Sequence, residues 1–453
     1  MIVAFPIEIS AREYLNKLFS AYQVLKNTNY RVVLGQKSEI YNFYKNNEGV
    51  YLISKGGTIK PFQLKKKQQH NRLSILDEEG PLINFNYKTD FISRTNSKIM
   101  KKLTDYYCWG KNDYDLMKKR ISKKKLILSG HPKYDLCSNK YKKIFEEKKI
   151  KLNTKYGRFF LIASSFAAVD GYIDKYDYIK WISNSVENKL KNRILKDLHH
   201  YFNHEEIFYD RLVKFTKKIS KENPKIRFVF RPHPRQDITK VKKRFSDSNY
   251  KNIFIIQGGA ITPFIYACKY FLHSGCSTVF EAALLKKKII FLENTYKNSN
   301  LVYKKIGMSV KLKNFSRVKQ LLVKKIKYNM KKNSTKDFIY NNNKNFFFKE
   351  LIKRLKMVDL KSGKINLENN NYRGQFYSNI KSFITKYPFL LKSASLINKD
   401  WLFNKEYKKS KFQKIKTSDL EEQFLKLQKI DKVHFDIKIK KINKDSYLLE
   451  KIN

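Results

Sequence analysis

The sequence predicts an α/β protein with two Rossmann-type parallel-sheet domains facing a cleft and a helical C-terminal extension. Three observations lead there. Short apolar runs alternate with amphipathic stretches, the pattern of strand–helix–strand units. Nearly every apolar run closes in a glycine or an acidic turn. The pattern lapses between Asn139 and Tyr156 and then resumes, which divides the runs into two groups. Length agrees, since 453 residues exceed a single domain of about 100–200, and a 42% hydrophobic, 15% aromatic composition is ample for two cores.

In the first group, Met1–Pro6 reads as a strand, Ala11–Lys26 as a helix and Tyr30–Leu34 as the next strand, closed by Gly35. Gly49–Ser54 runs into Gly56-Gly57, and Asn71–Leu76 into Asp77-Glu78-Glu79-Gly80. Thr104–Trp109 stops at Gly110, and Lys125–Ser129 at Gly130. The second group opens at Arg158–Ala163. Arg227–Phe230 enters Arg231-Pro232-His233-Pro234-Arg235, Ile253–Ile256 ends in Gly258-Gly259, Tyr270–His273 ends in Ser274-Gly275, and Lys288–Leu292 ends in Glu293-Asn294. Ile173–His200 reads as a helical insertion. Past Leu322 the grammar stops, apart from the amphipathic stretch Phe346–Leu355. Apolar residues such as Phe383, Phe389, Trp401 and Phe403 are irregularly spaced, so ordered helical pieces are expected there. The boundaries are therefore 1–152 for an acceptor-side domain, 153–357 for a nucleotide-binding domain and 358–453 for the extension.

The charge is 96 − 40, or +56. It excludes an acidic solvating chain, and three readings of it stand. Lys is spread along the whole chain beside an excess of Asn, Tyr, Phe and Ile, as an AT-rich codon bias would produce. A cytoplasmic enzyme in peripheral contact with an anionic membrane would gain about 1 kcal/mol per Lys near the surface. A nucleic-acid binder would neutralise phosphates, but the aromatics are not interleaved with cations in any RNA-binding motif, so no specific nucleic acid is expected. Cys108, Cys137, Cys268 and Cys276 have no metal or disulfide spacing. The first ten residues lack a basic leader, and no apolar stretch reaches the 18 or so residues of a membrane span. A cytoplasmic protein, with no bound cofactor and no metal, is the expectation.

Parallel sheets expose the carboxyl ends of their strands to ligands, and three such ends carry chemistry. Asp77, Glu78 and Glu79 offer carboxylates that can activate a hydroxyl or attack an anomeric carbon; the plain alternative is a solvated acidic turn. Arg231, His233 and Arg235, stiffened by two prolines, can grip a phosphate or protonate one that departs, with His233 as an imidazolium; a rigid loop with surface cations is the alternative. Ser274, Gly275, Ser277 and Thr278 precede a probable helix, Val279–Leu285. They suit an anion site, or a plain N-cap in which Glu281 completes a capping box; contact with a ribose hydroxyl is the other role open to Glu281. Ser164-Ser165 lines the same cleft or merely starts a helix. His131-Pro132 resembles a hinge-side turn. On the acceptor side, Arg12 and Glu13 with Gly35 and Gln36 occupy adjacent loops.

These motifs carry a resemblance. Glu78-Glu79-Gly80, His233-Pro234 and Ser277-Thr278 occur in the order found in bacterial polysialyltransferases and related GT-B glycosyltransferases using CMP-activated acidic sugars. The strings LDEEG, DYYCWGKND, LSGHPKYDL, FRPHP and HSGCSTVFEAAL resemble the bacterial surface carbohydrate biosynthesis proteins, over about Glu8 to Met357. The resemblance implies that Glu78 is the catalytic base, that His233 meets the CMP phosphate, and that Ser277 and Thr278 bind phosphate. Asp77 is an additional acid, so Asp77, Glu78 and Glu79 all remain candidates. Related β-Kdo transferases use a carboxylate nucleophile and retain configuration, which leaves the stereochemical outcome open. The implied function is metal-independent transfer of an acidic sugar from a nucleotide donor, CMP-linked, to a glycan or lipid-linked glycan of lipopolysaccharide or capsule. A sugar-nucleotide epimerase or a CDP-polyol phosphotransferase would want the same site.

Overall fold

The computed structural model describes residues 1–56, 70–80, 97–167, 169–177, 179, 188–246, 250–293, 301–311, 335, 337–341, 344–358, 360 and 411–452. Gly57, the start of the expected insertion's helix, the Lys/Asn-rich stretch after Leu322, and Phe383 through Phe403 lie outside them.

Two sheets organise the chain. The first contains β1 (Ile2–Ile7), β2 (Arg31–Gln36), β3 (Val50–Ser54), β4 (Arg72–Leu76), β5 (Asp105–Cys108) and β6 (Leu126–Leu128). Their order is β2-β1-β3-β4-β5-β6, all parallel, so the winding reverses between β1 and β3. The second contains β7 (Phe160–Ala163), β8 (Phe228–Arg231), β9 (Ile253–Ile255), β10 (Tyr270–His273), β11 (Lys288–Glu293) and β12 (Met308–Lys311). Its order, β9-β8-β7-β10-β11-β12, is the 3-2-1-4-5-6 winding of a dinucleotide-binding Rossmann sheet, with the reversal between β7 and β10. This is the two-Rossmann-domain, GT-B-like architecture expected. The central strands, such as β1, β3 and β10, are buried on both faces, which is why they read as continuous apolar runs rather than alternating ones.

The end of the chain differs from the expected helical extension. A helix, Thr417–Asp431, is present, but it is followed by an antiparallel hairpin of β13 (Ile437–Asn443) and β14 (Ser446–Lys451), and β14 pairs antiparallel with β2 at the edge of the first sheet. The alternation Ile437, Ile439 against Lys438, Lys440 is a half-exposed edge strand, where lysines discourage further pairing. Likewise the helix Phe347–Met357 packs on the first domain, against the helices Ser10–Asn27 and Pro132–Asp135, although its place in the sequence put it in the second. Asp135 caps it by accepting from Phe347 N (2.9 Å) and Phe348 N (3.1 Å). The expected boundary at 152 falls inside the helix Glu146–Tyr156, which packs on Thr262–Ala267 of the second domain and ends at Gly157, φ +61°.

Apolar packing is continuous between the domains. Tyr134 of the first meets Phe280 of the second at 6.2 Å between ring centres, and Phe280 meets Phe338 at 5.8 Å. The carboxyl edges of the two sheets are thereby held against each other.

Candidate functional site

On the first-domain side the acid motif follows β4. Trp109 underlies it: its indole N–H donates to the Asp77 carbonyl (2.7 Å), and Gly80, at φ +69°, packs so closely on the ring that an added Cβ would lie 2.5 Å from it. Asp77 is buried, and its carboxylate accepts from Glu79 N (3.2 Å), shaping the turn. The motif thus presents its three acids very differently.

Glu78 is buried inside the domain. Lys17 Nζ lies 2.6 Å from one carboxylate oxygen and His131 Nε2 3.1 Å from the other, and all three side chains are at most 1% exposed. His131 Nδ1 accepts from Lys133 N (3.2 Å), which assigns the proton to Nε2, where it donates to Glu78. Burial alone would raise the Glu78 pKa, yet Lys17 and His131 hold it well below the usual carboxylate range. Burial pushes His131 down to about 4 against the pull of Glu78. A carboxylate so engaged is a weak base. Glu79, by contrast, is 52% exposed and stands 3.8 Å from Arg12.

Arg12 is aimed by Glu13, its ion-pair partner at 3.0 Å. Glu13 is fully buried and accepts from Glu8 N (2.8 Å) at the head of the helix Ser10–Asn27, so it serves Arg12 and the helix start rather than an acceptor. Gly35 is likewise structural: β14 crosses it, and a Cβ there would lie 2.5 Å from Ser446 Cα. Gln36, beside it, donates its backbone N–H to the Asp445 carbonyl. What stands at the reversal between β1 and β3 instead is Glu8, with Lys37, Lys55 and Lys411 all converging on its carboxylate.

The second-domain side is built on β7, β8 and β10. Arg231, ending β8, is 6% exposed, stacks on Phe264, and donates to the carbonyls of Gly258 and Gly259 at 2.8 Å each. No carboxylate pairs with it among the described residues, and burial alone lowers it to about 10. Two of its five N–H groups are used in these bonds. His233 is half-buried. Its Nδ1 accepts from Arg235 N (3.2 Å), leaving the proton on Nε2, and its own N–H donates to Gln236 Oε1 (2.8 Å). Burial and Arg12 push His233 down to about 4, with Glu79 opposing, so it is a neutral donor near pH 7 rather than the expected imidazolium. Both charges that act on His233, those of Arg12 and Glu79, come from the other domain.

Ser165 and Ser274 follow β7 and β10 and bring their hydroxyls within 3.1 Å at the winding reversal, where a Rossmann sheet takes its ligand. Ser164 instead bonds Gln236 (2.8 Å). Gly275, at φ +109°, lets the loop run beside Tyr303. The capping box does not form: Thr278 bonds the Cys276 thiol, and Glu281, buried, accepts from Thr262 and is raised by burial. Ser277 is half-buried on the same loop.

Sequence reasoning did not single out Lys17, Lys133, Gln236 or Asn341, and it read His131 as a turn. Asn341, from the returning segment, brackets His131, accepting from its N–H (2.8 Å) and donating to its carbonyl (3.1 Å). The signal for His131 was present, since His131-Pro132 repeats after β6 the strand-end His-Pro of His233-Pro234 after β8.

No protein-family model matches the chain, and no curated protein does. Among solved structures, it is similar to a UDP-GlcNAc 2-epimerase from Methanocaldococcus jannaschii (TM-score 0.49, 14% identity, covering 79% of this chain and 99% of that one). It is also similar to the wall teichoic acid polymerase TagF (0.48, 14%, 79% and 89%) and to a UDP-GlcNAc 2-epimerase from Neisseria meningitidis (0.46, 13%, 79% and 100%). Likenesses this distant add nothing to the site, and the architecture stands on the strand orders above. Among the described residues, no helix is long and apolar enough to cross a membrane.

Proposed function

We propose that the protein is a glycosyltransferase of bacterial surface polysaccharide biosynthesis, moving an acidic sugar from a CMP-linked donor to a glycan or lipid-linked glycan. The observation that carries the reading is Arg231: a guanidinium 6% exposed, without a carboxylate partner among the described residues, beside the winding reversal of a Rossmann sheet. A buried cation without a counter-ion is costly unless a ligand supplies one, and a nucleotide phosphate is the anion such a sheet receives.

The geometry supports the following roles. Arg231 and the Ser165–Ser274 hydroxyls take the donor phosphate, as do Ser277 and Thr278 on the adjoining loop. His233 donates its Nε2–H to the leaving phosphate oxygen and stabilises the charge that develops there. Glu79, the exposed acid of the motif, accepts the proton of the acceptor hydroxyl as its oxygen attacks the anomeric carbon, and Arg12 orients it. Glu78 holds the loop through Lys17 and His131. Arginine and histidine here supply the charge stabilisation that a divalent ion supplies in other transferases, so turnover is expected to survive a chelator.

A panel of CMP, CDP, UDP, UMP and GDP, followed by ligand-observed NMR at moderate salt, tests this with wild type and His233→Ala. Selective CMP binding weakened in the variant supports the proposal. Selective UDP or GDP binding moves the donor class. Product analysis with the bound class and no acceptor then identifies an epimerase, which would release an isomerised donor. Equal, salt-sensitive binding of all five, unchanged in the variant, overturns the site and favours a general polyanion binder.

A further inference from the structure

Lys133 is a first-domain residue whose surroundings come from both domains. It lies in the short helix Pro132–Asp135 and is 6% exposed. Its ammonium rests 4.2 Å from the ring centre of Trp109 and 4.8 Å from that of Tyr134. Among the described residues no hydrogen-bond acceptor or ion-pair partner completes it. The charges it feels are Glu281, on the second-domain helix Val279–Leu284, and Glu78, with Arg12 opposing. Both carboxylates are engaged elsewhere, Glu281 by Thr262 and Glu78 by Lys17 and His131.

The aromatic floor is the one the acid motif rests on, because Trp109 also underlies Gly80. Lys133 is therefore a cation held between the acid loop and the donor domain. Aromatic faces stabilise such an ammonium in part, but among the described residues no protein acceptor serves its N–H groups, and a cation on a side chain this enclosed, without a counter-charge in contact, invites an anion. The donor phosphate already has Arg231 and His233. A second anionic group, carried on the sugar and closer to the acid loop, is the natural match.

Resting on the function proposed above, we propose that Lys133 determines donor specificity by binding the carboxylate of a nucleotide-linked sugar acid between the two domains. The competing role is structural, a counter-charge that holds Glu281 across the interface.

Two probes separate these roles: CMP, which offers phosphate alone, and CMP-N-acetylneuraminic acid, which adds a sugar carboxylate. Their affinities are measured for wild type, Lys133→Gln, Lys133→Met and Lys133→Arg, with thermal melts identifying any variant that fails to fold. Wild type is expected to bind the sugar acid more tightly than CMP. In the Gln and Met variants CMP affinity stays within about twofold, while the sugar-acid affinity falls about 10–100-fold, the scale of one charge-assisted hydrogen bond. Arg restores part of it. Equal losses for both probes would assign Lys133 to the phosphate or to the interface, and no loss for either would leave it without a ligand; each overturns the proposal. If wild type binds CMP but gains nothing from the carboxylate, the sugar-acid assignment alone fails. If it binds no CMP, the donor reading fails first.

Discussion

Replacing Glu78 by Gln separates the role implied by resemblance from the role implied by geometry. The substitution neutralises a carboxylate that is fully buried, 2.6 Å from a Lys17 ammonium 1% exposed, and strands that ammonium. Breaking a buried pair from one side costs about 3–5 kcal/mol. At about 2–4 °C per kcal/mol for a domain of 150–250 residues, Tm should fall by about 6–20 °C. Glu79→Gln touches a side chain 52% exposed and 3.8 Å from Arg12, so its stability should change by about 0.5 kcal/mol or less. Its turnover should fall about 10²–10⁴-fold, the range of general-base catalysis. Lys17→Met combined with Glu78→Gln removes both charges and should recover part of the lost stability, a positive coupling in a double-mutant cycle. The pH dependence has a definite sign. Glu78 has a folded pKa below its unfolded one, so its contribution is present above the ordinary carboxylate range and is lost as pH falls from there through the depressed folded value. Calorimetry on the variants and a transfer assay with the donor identified by the nucleotide panel provide the data. A stable Glu78→Gln protein with no turnover, beside an active Glu79→Gln protein, would refute this assignment and restore Glu78 as the base.

Gly35→Ala places a Cβ against Ser446 and should destabilise by about 1–3 kcal/mol, with limited proteolysis releasing the C-terminal hairpin before the rest of the chain. Arg231→Gln should weaken nucleotide binding about 10–100-fold and also loosen the Gly258–Gly259 loop, whose two carbonyls it holds; titration calorimetry and amide exchange at those glycines read the two effects separately. Burial lowers His131 to about 4 and His273 to about 3, so both take up protons more readily unfolded than folded below the ordinary histidine range. Their contribution is intact above about pH 6.5 and shrinks as pH falls, by up to about 2 kcal/mol each at pH 5, which a melt series with His273→Phe would show as a flatter pH profile.

The strands were legible because a parallel strand buried on both faces is a continuous apolar run whose end needs a turn, and β10 coincides with its predicted span, Tyr270–His273. The hairpin was not, because β13 is an amphipathic edge amid Lys-rich sequence and its partner β14 pairs with β2, a strand some four hundred residues earlier. Position along the chain also misled for Phe347–Met357, whose docking depends on Asp135 and Asn341, contacts that no local pattern encodes. The site shows the same division. Strand ends marked where Arg231, His233 and the acid motif would stand, but not which acid would face the cleft, since that turns on what covers Glu78. The missing partner lay on the helix Ser10–Asn27, where Glu13, Asn16, Lys17 and Ser20 recur at i, i+3, i+4 and i+7. Periodicity alone reads such a polar stripe as a solvent face. Here the helix is covered by Phe347–Met357 and Thr417–Asp431, and all four residues are buried. A polar stripe is therefore ambiguous until the rest of the surface is placed. The Glu78 carboxylate, 2.6 Å from the Lys17 ammonium, is what lets the stripe's lysine face inward, as Arg12 and the Glu8 N–H do for Glu13.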